Sequence, residues 1–404
     1  MAGEQRMRKT VALSKDLLLV RGAHKHCIYD LAGGKLYRVT EQAGEVAEKH
    51  ARGAVLDAAE AAVRDELAEA GILGPEGQGP LRKRTGPAVR PSFAWLVITD
   101  RCNLRCLHCY ENAKAGEGRD MSFADFEHAV AEVKAAGIKK AQLIGGEPMV
   151  HPDFRRMAEH AAREFKFFEV FTNGTLIDKA WCEFFKAHGI KVAVSVYSYD
   201  AAEHDKVTKG AGSHARTTAA VALLKEHGVP CRTACIRMTG VAVGEKNTEA
   251  FDLAEGSDVV RLTGRGNIGL LDAELVRRRL TTKELFRWPL QRKTVERALA
   301  RHNCFGRDVC ISPALEVYPC VMERRISHGN LRETGLKALL KREICGLNKD
   351  KVEACRDCEF RYACHDCRPD TLDGDLTAKP WYCTYDPYSG EWEDADAAVK
   401  RILG

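Results

Sequence analysis

The residues best suited to chemistry in this chain are cysteines, and their spacing says what that chemistry needs. Cys102, Cys106 and Cys109 stand at C-x3-C-x2-C in the stretch TDRCNLRCLHCY. Three thiolates this close can hold an iron–sulfur cube at three corners, leaving the fourth iron free to bind something other than protein. A structural zinc site wants four closed ligands, and no fourth lies nearby in sequence. A second field follows: Cys304, Cys310 and Cys320, then Cys355, Cys358, Cys364 and Cys367, then Cys383. Together these can supply two complete four-thiolate sites, either iron–sulfur clusters or a pair of zinc ribbons built on the CxxC pairs. Cys27, Cys182, Cys231, Cys235 and Cys345 are left over. Buried thiols acting as small hydrophobes account for them by default. Cys345 also precedes the central run closely enough to serve as a substitute ligand or redox residue.

Composition supports metal chemistry over disulfides. The 16 cysteines among 404 residues are too sparse for a disulfide scaffold yet high for a cytosolic enzyme. The N-terminal stretch MAGEQRMRKTVALSKDLLLV has scattered charge and no apolar export signal, so a cytoplasmic location is expected. At 45% hydrophobic and 29% charged residues the chain reads as globular. No uncharged apolar run approaches the roughly 18 residues of a membrane span. The net charge of +5 is mild and names no partner.

These cysteines need elements that position them. The stretch Gly74–Pro91, rich in proline and glycine with a short basic run, reads as a linker. Before it lies a small β-then-α module, 1–73: LLLV at Leu17–Val20, a hairpin over His26–Thr40 around Gly33-Gly34, and helices at Glu41–His50 and Val55–Ala70 closed by Gly71. After it, over 92–280, strands are predicted at 94–99, 140–145, 168–172, 191–196, 231–238 and 258–263, with helices such as Phe123–Ala136, Phe154–Glu164 and Thr217–His227 between them. Such βα units imply an α/β fold with a parallel sheet, open or curved toward a barrel, and chemistry at the C-terminal ends of its strands. The Cys102–Cys109 motif follows the first of those strands. The remainder, 281–404, starts helical and becomes Cys-rich and loop-rich.

The three cysteines with Tyr110, together with GGEP at Gly145–Pro148, resemble the radical S-adenosylmethionine (SAM) superfamily. TNG at Thr172–Gly174 and VSVYS at Val194–Ser198 fall where that family places further cofactor contacts. The resemblance covers about residues 91–270 and implies a partial (β/α)6 barrel. It implies that the open iron of a [4Fe–4S] cluster chelates SAM, whose reductive cleavage yields a 5′-deoxyadenosyl radical, with an external flavodoxin- or ferredoxin-type electron donor. Gly145 and Gly146 would let backbone approach the ligand. Glu147 would accept from the methionyl ammonium. Tyr110 would lie beside the adenine, while Asn173 and Ser195 are candidates for ribose or carboxylate contacts.

CISPALEVYPC and CRDCEFRYACHDC resemble the SPASM extension of radical SAM enzymes that modify peptides and proteins. By position, Cys304, Cys310, Cys320 and Cys367 would hold the nearer of two auxiliary [4Fe–4S] clusters. Cys355, Cys358, Cys364 and Cys383 would hold the farther one. Here Cys364 and Cys367 are separated by two residues where that family usually has three, which bears most on Cys367. The stretch Leu17–Leu73 resembles the PqqD-like recognition element, a small winged-helix-type domain that grips the leaders of ribosomally made peptides. A plain cap packing on the core is the other reading of the same residues. The acidic last helix, with Asp57, Glu60, Asp65, Glu66 and Glu69, speaks against nucleic acid.

The expected function is therefore a radical SAM/SPASM maturase that crosslinks a ribosomal precursor peptide, through a thioether or carbon–carbon bond, with no nucleic acid or membrane partner. A maturase of a protein or cofactor precursor, of the quinone-cofactor or formylglycine sulfatase type, stays open. So does a non-catalytic iron–sulfur or zinc carrier. Whether Asp200 or Arg265 serves as acid or base is not legible in the sequence.

Overall fold

In the central strands, alternate residues face opposite sides, and that period decides the architecture. The computed structural model describes residues 10–74, 91–115, 117–254, 256–302, 305, 308–341, 346–372 and 374–404. Most of the expected linker, residues 75–90, lies outside them, as do Cys304 and Cys345.

The N-terminal module is an antiparallel sheet of β1 (Thr10–Ala12), β2 (Leu17–Arg21), β3 (His26–Asp30) and β4 (Lys35–Val39), followed by α1 (Glu41–Ala51) and α2 (Ala58–Glu69). The first strand was not foreseen. Three residues with a single fully apolar face give no periodic signal. Helix α2 begins at Ala58 rather than Val55. There the Asp57 side chain accepts from Glu60 N at 2.9 Å while Glu60 returns to Asp57 N, a reciprocal cap. One face of the sheet packs Leu19 and Ile28 against Ala47, Ala51 and Leu67 of the helices. The other turns Leu18, Val20, Cys27 and Tyr29 onto Phe360, Tyr362 and Tyr385 of the Cys-rich segment.

The central sheet runs β12-β11-β10-β9-β8-β5-β13-β14-β15. Its strands are β5 (Phe93–Val97), β8 (Lys140–Ile144), β9 (Phe167–Thr172), β10 (Lys191–Ser195), β11 (Cys231–Arg237), β12 (Ser257–Val259), β13 (Asp308–Ile311), β14 (Glu316–Tyr318) and β15 (Gly329–Asn330). Two short strands, β6 (Arg101–Cys102) and β7 (Lys114–Ala115), pair beside the cysteine loop. Strands β5 and β8–β12 are parallel, as expected for βα units. The last of them is shorter than the 258–263 run.

The helices between them are α3 (Phe123–Ala135), α4 (Phe154–Glu164), α5 (Lys179–Ala187), α6 (Ala201–Thr208) and α7 (Ser213–Glu226). Leu96, Leu143, Val170 and Val194 join Phe126, Met157, Phe185 and Leu224 in one core. The alternate residues Trp95, Val97, Ile144, Phe171 and Cys310 face the other side. There Trp95 donates to Gln142 at 3.0 Å, Gln142 to Glu169, and Arg232 pairs with Glu169 at 2.8 Å. Helix α7 starts four residues before the expected Thr217 because Asp205 collects Gly212 N, Ser213 Oγ and His214 N. A carboxylate there satisfies the helix's free N–H groups and its dipole.

The C-terminal segment carries α8 (Ala273–Arg279), α9 (Arg292–Ala300), α10 (Leu336–Leu339), β16 (Tyr385–Asp386), β17 (Glu391–Trp392) and α11 (Ala395–Leu403). It does more than supply cysteine loops, because β13 pairs in parallel with β5 (Cys310↔Trp95) and β14 and β15 continue antiparallel. Among the described residues, no helix is long and apolar enough to cross a membrane.

Candidate functional site

The chain leaves β5 through Thr99–Arg101 and enters the cysteine loop. That loop is pinned from two sides. Arg105 N and Leu107 N donate to the carbonyls of Thr208 and Val207 at 3.1 and 2.9 Å. Arg265 N donates to Cys109 O at 3.0 Å, and its guanidinium donates to the carbonyls of Cys106, at 3.2 Å, and Ala113. Arg265 is thus bound to loop backbone. Gly264 beside it has φ +59°, and a Cβ there would lie 2.5 Å from Cys109 O and Tyr110 Cα. Gly264→Ala must take up a left-handed conformation costing about 1–2 kcal/mol and push the clamp off the loop. Iron retained per chain after reconstitution is expected to fall several-fold, read by a colorimetric iron assay.

At the end of β8, Gly146 N donates to Thr99 O and Glu147 N to Arg101 O, each at 2.8 Å. A Cβ on Gly145 would meet Thr99 O at 2.7 Å, and one on Gly146 would run into the Arg101 backbone. The space on the Cβ side is filled by the chain entering the cysteine loop, so these glycines dock β8 onto that loop while their backbone lines the cavity beside it.

Glu147 is fully buried. Its carboxylate accepts from Thr172 Oγ1 at 2.7 Å, Asn173 N at 2.8 Å and Met149 N at 3.1 Å. Burial nevertheless pushes the carboxyl up to about 7, the hydrogen bonds offsetting only part of the desolvation. A carboxyl whose folded pKa exceeds its unfolded value of about 4.3 favours the fold while protonated. Its contribution is complete below that unfolded value and is lost as pH rises through 7. Wild-type stability, taken relative to Glu147→Gln, is expected to decline by about 3 kcal/mol across that window, followed by urea denaturation at several pH values. A cation bound beside Glu147 would favour the ionised form and flatten the decline.

Asn173 stands after β9 with its amide already committed. Nδ2 donates to Asn103 Oδ1 at 2.8 Å, and Oδ1 accepts from Thr175 N at 2.9 Å and Thr175 Oγ1 at 2.6 Å. It ties this loop to the cysteine loop. Ser195 ends β10 on the inner face and bonds Tyr197. Burial holds the Tyr110 phenol well above its usual range.

One cavity of about 630 Å³ is lined by Cys102, Cys106, Cys109 and Tyr110, by Gly145, Gly146 and Glu147, and by Asn173 and Ser195. Burial pushes the Cys102 and Cys106 thiols up to about 12, so they ionise there only for a metal that takes the proton's place. Among the described residues, no three His, Cys, Asp or Glu side chains converge tightly enough for a single ion. The thiolates of a cube each take a different iron and do not need to. The donor set suits such a cube, and one further group asks for a ligand. His108 lines the cavity, and its Nδ1 is buried without a partner. Burial lowers its pKa to about 4, and its ring sits edge-on to Tyr197 at 4.9 Å. His108 was not singled out from sequence, although its place just before Cys109 carries it inward with the cysteines.

A second cavity, of about 470 Å³, is lined by Cys355, Cys358, Cys364 and Cys383 among aromatic residues. Burial raises the Cys355 thiol to about 12 and those of Cys358 and Cys364 above their usual range. Of the other expected set, Cys310 on β13 and Cys320 after β14 lie close enough to act on each other electrostatically. Arg324 Nη1 donates to Cys310 Sγ at 3.2 Å and pairs with Glu111 on the wall of the first cavity. Cys367 N donates to Tyr382 Oη at 2.7 Å, and Cys367 does not line the second cavity. Cys304 lies outside the described residues. Of the unassigned cysteines, Cys27, Cys182 and Cys235 are buried and Cys231 is half-buried; Cys345 lies outside the described residues. Asp200 caps α6 by accepting from Glu203 N at 2.9 Å.

Residues 96–251 match the Radical SAM superfamily. The antilisterial bacteriocin subtilosin biosynthesis protein AlbA of Bacillus subtilis is 32% identical over 168 residues, 41% of this chain and 36% of AlbA. The AdoMet-dependent heme synthase of Methanosarcina barkeri is 25% identical over 347 residues, 73% of this chain and 96% of the synthase. Among solved structures, native anSMEcpe with bound AdoMet has TM-score 0.53 at 18% identity, covering 78% of this chain and 98% of its own. Streptococcus suis SuiB bound to precursor peptide SuiA has TM-score 0.51 at 12% identity, covering 91% and 99%. At such identities these two structures show the α/β fold alone.

Proposed function

Residues 96–251 being a radical SAM domain, a domain that implies a [4Fe–4S] cluster and SAM, we propose that this chain is a maturase that oxidatively crosslinks a ribosomally made precursor peptide. The observation that carries the reading is the pair of cysteine cavities within one molecule, one beside Glu147 and His108, the other lined by Cys355, Cys358, Cys364 and Cys383. When bound, the cluster and SAM supply a 5′-deoxyadenosyl radical that removes a hydrogen atom from substrate.

The chain's own residues hold and screen. Cys102, Cys106 and Cys109 anchor the cluster, and the clamp of Arg265, Val207 and Thr208 fixes their loop. Glu147, poised near neutrality by burial, takes the methionyl ammonium, a charge-assisted bond worth about 1.5–3 kcal/mol. His108 Nδ1, Tyr110 and Ser195 line the same cavity and would contact the nucleoside. Holding the reacting hydrogen close to the adenosyl carbon is the main catalytic contribution. The C-terminal cysteines would hold auxiliary clusters, which would supply an acceptor for the electron left behind when the second hydrogen departs as a proton. The N-terminal module presents the leader, which would add as a strand to its sheet. One relative supports this reading, AlbA, named for biosynthesis of the bacteriocin subtilosin; the fold is shared with SuiB, whose structure holds its precursor peptide.

A second reading, a cofactor-precursor substrate, is favoured by the length of the match to the heme synthase, 96% of that protein. One experiment separates the two. The chain is reconstituted anaerobically with SAM and reductant, given the peptide encoded by the nearest short open reading frame, and the peptide mass recorded. A loss of two hydrogens is expected. An unchanged peptide beside abundant 5′-deoxyadenosine would move the cofactor-precursor reading ahead.

A further inference from the structure

Among the described residues, the second cysteine cavity carries more positive charge than its protein partners balance. Lys349 lines it, with its side chain only 5% exposed. Its ammonium donates to Cys364 O at 2.6 Å and lies 3.0 Å from Asp366. That carboxylate is shared, because His302 Nε2 reaches the same oxygen at 2.6 Å and the buried Arg368 takes the other. On the opposite side, Glu359 is matched by Arg38 at 3.0 Å, and Arg361 by Asp350 at 2.9 Å, so neither pair offers a spare anion. Two buried cations thus lean on one carboxylate. An under-compensated buried charge is destabilising, and neutral thiols do nothing to offset it.

We propose that Lys349 is the counter-ion of a four-thiolate iron–sulfur cluster bound by Cys355, Cys358, Cys364 and Cys383, and that its charge raises that cluster's reduction potential. The inference rests on reading this cavity as an auxiliary-cluster site. Such a cluster is anionic, and reduction adds one more electron inside a low-dielectric pocket. A fixed ammonium at its edge therefore stabilises the reduced form more than the oxidised one. Lys349 acts through its charge and is a positioning residue. Asp366 weakens that charge by sharing it.

The test is an EPR redox titration of the full-length chain in which Cys102, Cys106 and Cys109 are changed to Ala, removing the overlapping signal. Comparison with the same chain carrying Cys355→Ser and Cys358→Ser assigns the distal signal and its iron. If that change removes neither iron nor signal, the auxiliary-site reading itself fails. Where it removes both, Lys349→Met is expected to keep the iron but lower the reduced-to-oxidised ratio at a fixed poise about tenfold, which is about 59 mV for one electron. Lys349→Arg should restore the ratio, and Asp366→Asn should raise it. If Lys349→Met sheds the iron, the direction seen in Asp366→Asn decides alone. An unchanged ratio in Lys349→Met, or a lowered one in Asp366→Asn, overturns the counter-ion role while leaving the site reading intact.

Discussion

Changing Cys106 to Ala is expected to reduce 5′-deoxyadenosine formation to that of the iron-free chain while leaving the thermal unfolding midpoint at that of the iron-free wild-type chain. Two features of the loop argue for that split. Its backbone is held by Val207, Thr208 and Arg265 through carbonyl and amide groups that the substitution does not touch. The Cys106 thiol, raised to about 12 by burial, contributes nothing charged to the fold without a metal. Beyond its packing against Leu104 and Ala113, its value lies in ligation, and a cube deprived of one of three thiolates here has no nearby replacement. Nucleoside release measured by chromatography, alongside calorimetry, reads both halves. A variant that still cleaves SAM would remove Cys106 from the ligand set.

Arg361 should show the opposite pattern, with a large loss of stability. It is 1% exposed and donates to Asp350 Oδ1 at 2.9 Å, Arg21 O at 2.7 Å and Cys358 O at 2.7 Å. Its guanidinium also lies over the Tyr362 ring at 4.8 Å. Arg361→Met would leave Asp350, half-buried, without its cation and take one donor each from the carbonyls of Arg21 and Cys358. The expected cost is about 3–5 kcal/mol. Because Arg21 belongs to the N-terminal sheet and Cys358 to the second cavity, the loss should fall on the joint between them. Limited proteolysis is expected to release the N-terminal module from the variant before the rest of the chain unfolds. A variant as stable and as protease-resistant as wild type would show that the apolar contacts of Leu18, Val20 and Phe360 hold the joint alone.

What could be read in the sequence was whatever chemistry or local periodicity writes into neighbouring residues. The cysteine loop, the GGEP turn and the strand and helix runs from Trp95 to Glu226 are of that kind, and the cavity gathers the very residues singled out from them. Partnerships over long separations were not legible. Nothing in the stretch Asp308–Ile311 announces that it pairs with Phe93–Leu96. Nothing in TGRG, at Thr263–Gly266, announces that it clamps the cysteine loop. The TNG resemblance pointed to Asn173, which lines the cavity, but its bonds to Asn103 and Thr175 were not legible there. The charges around Lys349 were invisible for the same reason, since His302, Lys349 and Asp366 meet only after the chain has turned back on itself.

The pairing of β13 with β5 also governs how this chain must fold. As the protein is synthesised, β5 has β8 on one side soon after it emerges, yet its other edge waits for a partner about two hundred residues later. Until Asp308–Ile311 arrives, an apolar strand that ends beside the cysteine loop presents unpaired backbone groups to any other strand it meets. A late, non-local closure of this kind is slow. The Cys102–Cys109 loop, which follows directly on that strand, is therefore made long before the sheet that carries it can close.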